Sequence, residues 1–268
     1  MITPFFPALR PRLAARGRRT AHTVRQATLA QLQEQLRDFL PAPLLSSEDE
    51  GPNSRERVFS LRLTFECFLW QMLKPKTSCR EVVRQVQALF CLHGRGPVDE
   101  GDSAYVQARQ RLPRERLEKA LAATAQAADH RVGPLGPLHG RPVKVADGST
   151  TQLADTPKNQ KRYPQPTAQK KGCGFPVLKF VALFSLTSGA ILNVMLGSLR
   201  HHDLRLLRAL WEQLKKGDIL LGDRAYGEYT TLAGLPQQGV DVVARLHHAR
   251  KVDFRKARRL AKNDGLFV

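Results

Sequence analysis

Two Gly-Pro steps inside Arg131-Val132-Gly133-Pro134-Leu135-Gly136-Pro137-Leu138-His139-Gly140 cut the chain into two stretches that fold by different rules. Glycine loses the most backbone freedom on ordering, and proline cannot donate to a helix or a sheet ladder. Such a stretch marks a domain boundary. Before it, apolar residues recur at helical spacing. Leu29, Leu32, Leu36 and Leu40 predict a helix over 22–40, closed by Pro41, and 41–54 reads as a loop. Val58, Leu61, Phe65, Phe68, Leu69 and Met72 form one wide apolar face ending at Pro75. Ser78 and Glu81 have the form of a capping box opening a helix through Phe90. Gly94-Arg95-Gly96-Pro97 breaks that pattern, a short helix comes next over Tyr105 to Leu112, and another starts at Pro113. The expectation is a helical N-terminal domain over 22–130 behind a basic tail at 1–21, where Arg10, Arg12, Arg16, Arg18 and Arg19 meet no acid.

After the break the pattern changes. Val143 to Ala146 reads as a strand, and Leu178 to Leu186 with Ala190 to Leu196 as a hairpin about Thr187-Ser188-Gly189. A helix is expected over His202 to Lys216, a strand at Ile219 to Leu221, a helix over Tyr229 to Leu235, and a strand over Val240 to Leu246. That order predicts a mixed α/β domain over 141–268 and an α+β chain as a whole.

The charge balance narrows the partners. Lys and Arg number 43 against 24 Asp and Glu, a net charge of +19, which favours polyanions and nucleic acid ahead of anionic membrane. No apolar run approaches the ~18–20 residues of a membrane helix. The opening Met1 to Pro7 is too short and too broken by proline for a secretory signal. The four cysteines form no CxxC pair, and the chain holds no GxGxxG, GxxxxGK[ST] or Gly-x-Ser-x-Gly string. The expected protein is cytoplasmic and nucleoid-associated, with DNA as its partner, no membrane and no small-molecule substrate.

Two acids stand at the ends of predicted strands: Asp147 in Val145-Ala146-Asp147-Gly148-Ser149-Thr150, and Asp223 in Gly222-Asp223-Arg224-Ala225-Tyr226. Ligands of open α/β sheets gather outside the carboxyl ends of strands. Two carboxylates brought together there repel unless a cation lies between them, and Mg²⁺ takes carboxylate oxygens while keeping phosphate and water as further ligands. A pair of such ions activates a nucleophile and stabilises the leaving oxygen in phosphodiester chemistry. An aspartate just after a strand is also a common turn former or helix N-cap, and spacing alone leaves both readings open.

Around these residues the chain resembles the DDE transposases of the IS4 family. The two segments just quoted are similar to the family's first and second acidic motifs. Arg245-Leu246-His247-His248-Ala249-Arg250 resembles the family's stretch downstream of its second acid, and Ser103 to Pro113 resembles part of the N-terminal region. The likeness runs from about residue 55 onward. It implies a ribonuclease-H-like core in which the first and fourth strands are adjacent and parallel, with Asp147 and Asp223 as catalytic metal ligands for Mg²⁺ or Mn²⁺. It implies DNA cleavage and strand transfer at transposon ends, by a homo-oligomer on DNA. The family's third acid is a Glu in a Tyr-x2-Arg-x3-Glu-x6-Lys signature that this sequence lacks; Glu228, Asp241, Asp253 and Asp264 have no such partners. The expectation is therefore an incomplete ribonuclease-H-like domain, truncated before the third acid and inactive alone. The alternative is a non-catalytic DNA-binding protein that occupies transposon ends or inhibits a full-length transposase.

Basic residues cluster beside both acids. Lys158, Lys161, Arg162, Lys170 and Lys171 lie between the first strand and the hairpin, and Arg245, Arg250 and Lys251 come after the last strand. Arg224 and Tyr226 flank Asp223. Each cluster reads either as a solvated surface or as DNA-contacting, since basic side chains displace counterions from phosphate.

Overall fold

The computed structural model describes residues 22–46, 57–132, 138, 140–170, 172–246, 253, 255, 257–261 and 264–266. The chain divides into two compact units, Met1–Ala127 and Ala128–Val268.

The first unit is helical: α1 (Leu29–Arg37), α2 (Leu61–Leu73), α3 (Cys79–Leu92), α4 (Ser103–Gln110) and α5 (Arg114–Val132), the last running past the division. The helix expected over 22–40 is interrupted, because Thr28 caps α1. Its hydroxyl accepts from the Gln31 N–H while the Gln31 side chain accepts from the Thr28 N–H. Ser78 caps α3 by accepting from the Glu81 N–H, without the reciprocal bond; the Glu81 carboxylate accepts from Gln85 and pairs with Arg84 instead. The apolar faces meet in one core of Leu29, Leu32, Leu63, Cys67, Trp70, Val82, Val83, Val86 and Tyr105, among others. Polar groups buried there are partnered. Trp70 donates its indole N–H to the Ala27 carbonyl at 2.9 Å, and Glu66 accepts from Arg62 and Gln33.

The second unit is built on a five-stranded sheet: β1 (Val143–Gln152), β2 (Val177–Ser185), β3 (Ile191–Ser198), β4 (Ile219–Gly222) and β5 (Asp241–Ala244). The strand order is β3-β2-β1-β4-β5. β1, β2 and β3 pair antiparallel, whereas β1–β4 and β4–β5 are parallel. This is the mixed sheet of a ribonuclease-H-like fold, with first and fourth strands side by side. Between them come α6 (Pro157–Arg162) in the β1–β2 connection, α7 (Asp203–Arg208) after β3, and α8 (Tyr229–Gln237) before β5. Leu206, Leu207 and Leu235 from α7 and α8 bury against Ala146, Val181, Leu183 and Leu220 of the sheet. The hairpin β6 (Arg258–Ala261) and β7 (Asp264–Leu266) was not foreseen.

Two expectations change in detail. The helix expected over His202 to Lys216 stops at Arg208 and continues as a 3-10 turn at Trp211–Gln213. There the Gln213 carbonyl accepts from the Lys144 ammonium at 2.7 Å. β1 also does not end near Asp147. Residues Gly148 to Gln152 pair with Val181 to Val177 of β2, so the strand continues as a long arm.

Polar anchors fix the β1–β4 register at its start. Lys144 and Asp218 form an ion pair at 2.6 Å with side chains only 13% and 6% exposed. Arg141 donates to the carbonyls of Gly217 and Asp218 and to the Asp241 carboxylate. Removing one member of a buried pair strands the other charge, at a cost of about 3–5 kcal/mol. Lys144→Met therefore lowers unfolding stability by about that much in urea titrations, and adding Asp218→Leu restores most of the loss.

Candidate active site at the end of β4

The site begins with register. In the parallel pair, Val143 stands opposite Ile219, Lys144 opposite Leu220, and Val145 opposite Leu221. Two residues beyond the last of these lie Asp147 on β1 and Asp223, just past β4. The β1–β4 pairing ends at Val145 and Leu221 while β1 runs on against β2, so Asp147 has no partner on β4. Both aspartates are exposed. Each ties one oxygen to its own loop: Asp147 Oδ1 accepts from the Gly148 N–H at 2.9 Å, and Asp223 Oδ1 from the Ala225 N–H at 2.8 Å. No described residue hydrogen-bonds the second oxygen of either. Hard carboxylate oxygens are the donors a divalent cation such as Mg²⁺ takes, and these two fit that role as a pair. Among the described residues, no group of three or more His, Cys, Asp and Glu side chains is disposed to hold one ion.

Tyr226 lies beneath the pair. Expected among the DNA-contacting residues, it is 1% exposed and out of reach of a phosphate, because its ring packs in the core with Ala146, Leu220 and Leu235. Its room is provided by the glycines of both motifs. A Cβ on Gly222 would stand 2.9 Å from Tyr226 Cβ, and one on Gly148 3.1 Å from its Oη. Asp203, the first residue of α7, reaches the same place, with Oδ2 3.7 Å from that Gly148 position. Its Oδ1 contacts the Lys179 ammonium at 2.9 Å, an ion pair outside hydrogen-bond geometry. Burial pushes the Tyr226 hydroxyl far up, and the carboxylates of Asp203, Asp223 and Asp147 push it further, so it stays protonated. Yet Oη has no hydrogen-bond partner among the described residues, a state that costs roughly 1–3 kcal/mol. Sequence reasoning missed Asp203 and the pairing of Lys179 with it. The sole hint was an acid and a base of opposite sign near the hairpin ends.

The loop after Asp223 is pinned at its far end. Glu228 caps α8, accepting from the N–H and hydroxyl of both Thr230 and Thr231, and pairs with Arg208 at 3.3 Å.

The basic candidates fall on several elements. Lys158, Lys161 and Arg162 lie exposed on α6, with Arg162 over the Tyr163 ring, and Lys170 is exposed in the same connection. Gln165 holds that connection folded: its amide oxygen accepts from the N–H groups of Gly172 and Gly174, and its amide nitrogen donates to the carbonyls of Gln169 and Lys170. Arg224 is exposed next to Asp223, and Arg245 is exposed just past β5. Lys171, Arg250 and Lys251 lie outside the described residues.

The strand order β3-β2-β1-β4-β5, with β1 and β4 parallel, is that of a ribonuclease-H-like domain. Residues 138–266 match the family model of the transposase DDE domain. "Transposase InsG for insertion sequence element IS4" of Escherichia coli (strain K12) is 26% identical over 234 residues, covering 86% of this chain and 52% of that protein. Over residues 138–266 the chain is thus similar to the transposase DDE domain, and over most of its length to a transposase of an IS4 element. It spans about half the length of that relative. A solved structure, "Mos1 transposase paired-end complex with left transposon end", aligns at 14% identity and a TM-score of 0.26, covering 84% of this chain and 74% of that one. The fold assignment rests on strand order and not on that alignment. No helix among the described residues is long and apolar enough to cross a membrane.

Burial pushes the Glu228 carboxyl up, but the hydrogen bonds from Thr230, Thr231 and Arg208 outweigh it and hold the group at about 2, below its ordinary 4.5. A depressed carboxyl stabilises the fold above the unfolded-state value and loses that contribution as pH falls through the folded-state value. Glu228→Ala therefore costs about 1 kcal/mol at pH 7, the usual scale of a lost cap. Chemical denaturation at a series of pH values shows that difference narrowing from about pH 4.5 toward pH 2.

Proposed function

We propose that the domain acts on DNA at transposon ends, with Asp147 and Asp223 as ligands for Mg²⁺ or Mn²⁺ in phosphodiester cleavage and strand transfer. The reading is supported above all by the β1–β4 register, which sets two carboxylates at one sheet margin in a chain of net charge +19. The bound cations would supply Lewis acidity to the attacking and leaving oxygens. The chain's own residues do the rest. Asp147 and Asp223 present one oxygen each while their other oxygens are tied to backbone N–H groups. Lys158, Lys161, Arg162 and Lys170 on the β1–β2 connection, with Arg224 and Arg245, contact phosphates and draw the strand toward the acids. Lys171, Arg250 and Lys251 are proposed to extend that surface. Transposon ends are paired by more than one copy of the chain.

Two carboxylates fix two cations less firmly than three, so transition-state charge goes under-stabilised. This chain alone is accordingly proposed to bind DNA and metal without completing strand transfer.

Duplex DNA carrying the cognate ends, incubated with the chain and Mn²⁺, is expected to be bound but not cut. Binding should fall steeply with salt and be unchanged in Asp147→Asn, whereas Mn²⁺ binding is lost in Asp147→Asn and in Asp223→Asn. Metal-dependent 3′-OH products that disappear in Asp147→Ala would refute the inactivity. Mn²⁺ binding indifferent to both substitutions would refute the ligand assignment.

A further inference from the structure

Among the described residues, three buried polar atoms of the second unit have no hydrogen-bond partner, Asp203 Oδ1, Trp211 Nε1 and the Tyr226 hydroxyl, and the last stands next to the motif glycine Gly148. Several independent features converge on it. The ring is enclosed, with 1% exposure. Both motif glycines, Gly148 and Gly222, leave space that the Tyr226 ring and hydroxyl occupy, so the Asp-Gly and Gly-Asp segments are shaped around this one side chain. The hydroxyl and Asp203 Oδ2 approach the same point above Gly148. Asp203 is in turn held by Lys179, which stands on β2 opposite Thr150 of β1 and also donates to the His201 carbonyl at 3.2 Å.

We propose that Tyr226 and the Asp203–Lys179 pair form a brace under the cation site, in which the Tyr226 hydroxyl and Asp203 Oδ2 converge above Gly148 and the three residues together position Asp147 and Asp223. Tyr226 and Asp203 are positioning residues and touch no reacting atom. The inference rests on the reading of Asp147 and Asp223 as cation ligands. Its physical logic is charge economy at a crowded floor. A neutral hydroxyl fills the space beside the Asp203 carboxylate without adding a second cation. Lys179 cancels the Asp203 charge, which would otherwise compete for the ions or repel the ligand pair. Partners one step removed from a metal orient its ligands, and losing one typically weakens metal affinity about 10- to 100-fold.

Mn²⁺ binding to the full chain, followed by electron paramagnetic resonance of the free ion, tests the brace together with the thermal unfolding midpoint. Tyr226→Phe keeps the ring and deletes an unsatisfied buried hydroxyl, so a mere packing role leaves Mn²⁺ affinity unchanged and the midpoint equal or higher. The brace predicts a loss of affinity of about tenfold or more with the midpoint retained. Asp203→Asn is expected to weaken binding comparably, and the double variant no further than either alone, because the two act as one unit. Unchanged affinity in Tyr226→Phe, or losses that multiply in the double variant, overturns the inference. Asp147→Asn run alongside separates the two levels. If the wild-type chain binds no Mn²⁺, or Asp147→Asn binds it equally well, the ligand reading itself has failed and the brace falls with it. If Asp147→Asn abolishes binding while Tyr226→Phe does not alter it, only the brace is wrong.

Discussion

The parallel pairing of β1 with β4 is the constraint on which the second unit depends. Side chains alternate across a strand, so a slip of one residue would move Asp147 relative to Asp223 and turn its apolar neighbours to the wrong face. The register is held by groups that cannot slip cheaply. Lys144 reaches Asp218 and the Gln213 carbonyl, while Arg141 spans the Gly217 carbonyl and Asp241. These contacts lie at the amino-terminal end of β4, opposite the acids. The site end is therefore free to be polar, exposed and irregular.

At that end, two short motifs work as one object. Asp147-Gly148 and Gly222-Asp223 each pair an acid with a glycine, and the reason lies three residues beyond the second acid. Tyr226 folds back under β4 and fills the volume both glycines leave open. A Cβ at Gly222 would force the tyrosine to shift, and one at Gly148 would crowd its hydroxyl. The same packing takes Tyr226 off the surface and leaves Arg224 exposed.

Much of this was legible in residue patterns. The Gly-Pro segment separated helical from mixed sequence, and the hairpin about Thr187-Ser188-Gly189 and the β4 and β5 runs appear where alternation and apolar density placed them. Other features needed three dimensions. The length of β1 depends on its pairing with β2, which periodicity in 147–152 does not encode, since Asp147, Gly148, Ser149 and Thr150 read as turn formers. The helix expected through Lys216 ends at Arg208, and the 3-10 turn after it presents the Gln213 carbonyl to a lysine 69 residues away. The Thr28–Gln31 capping box was present in the sequence and was overshadowed by an apolar pattern that ran through it. The burial of Tyr226 and the place of Asp203 were invisible for a different reason: both arise from tertiary packing among α7, β1 and β4.

Asp147 and Asp223 at the sheet margin carry the proposed metal-assisted chemistry. The most direct measurement is a crystal structure of the chain grown with Mn²⁺, read by anomalous scattering at the manganese edge. A peak bridging carboxylate oxygens of Asp147 and Asp223 is the predicted result. Manganese bound elsewhere, or electron density that turns the two carboxylates away from one another at saturating metal, would contradict the account.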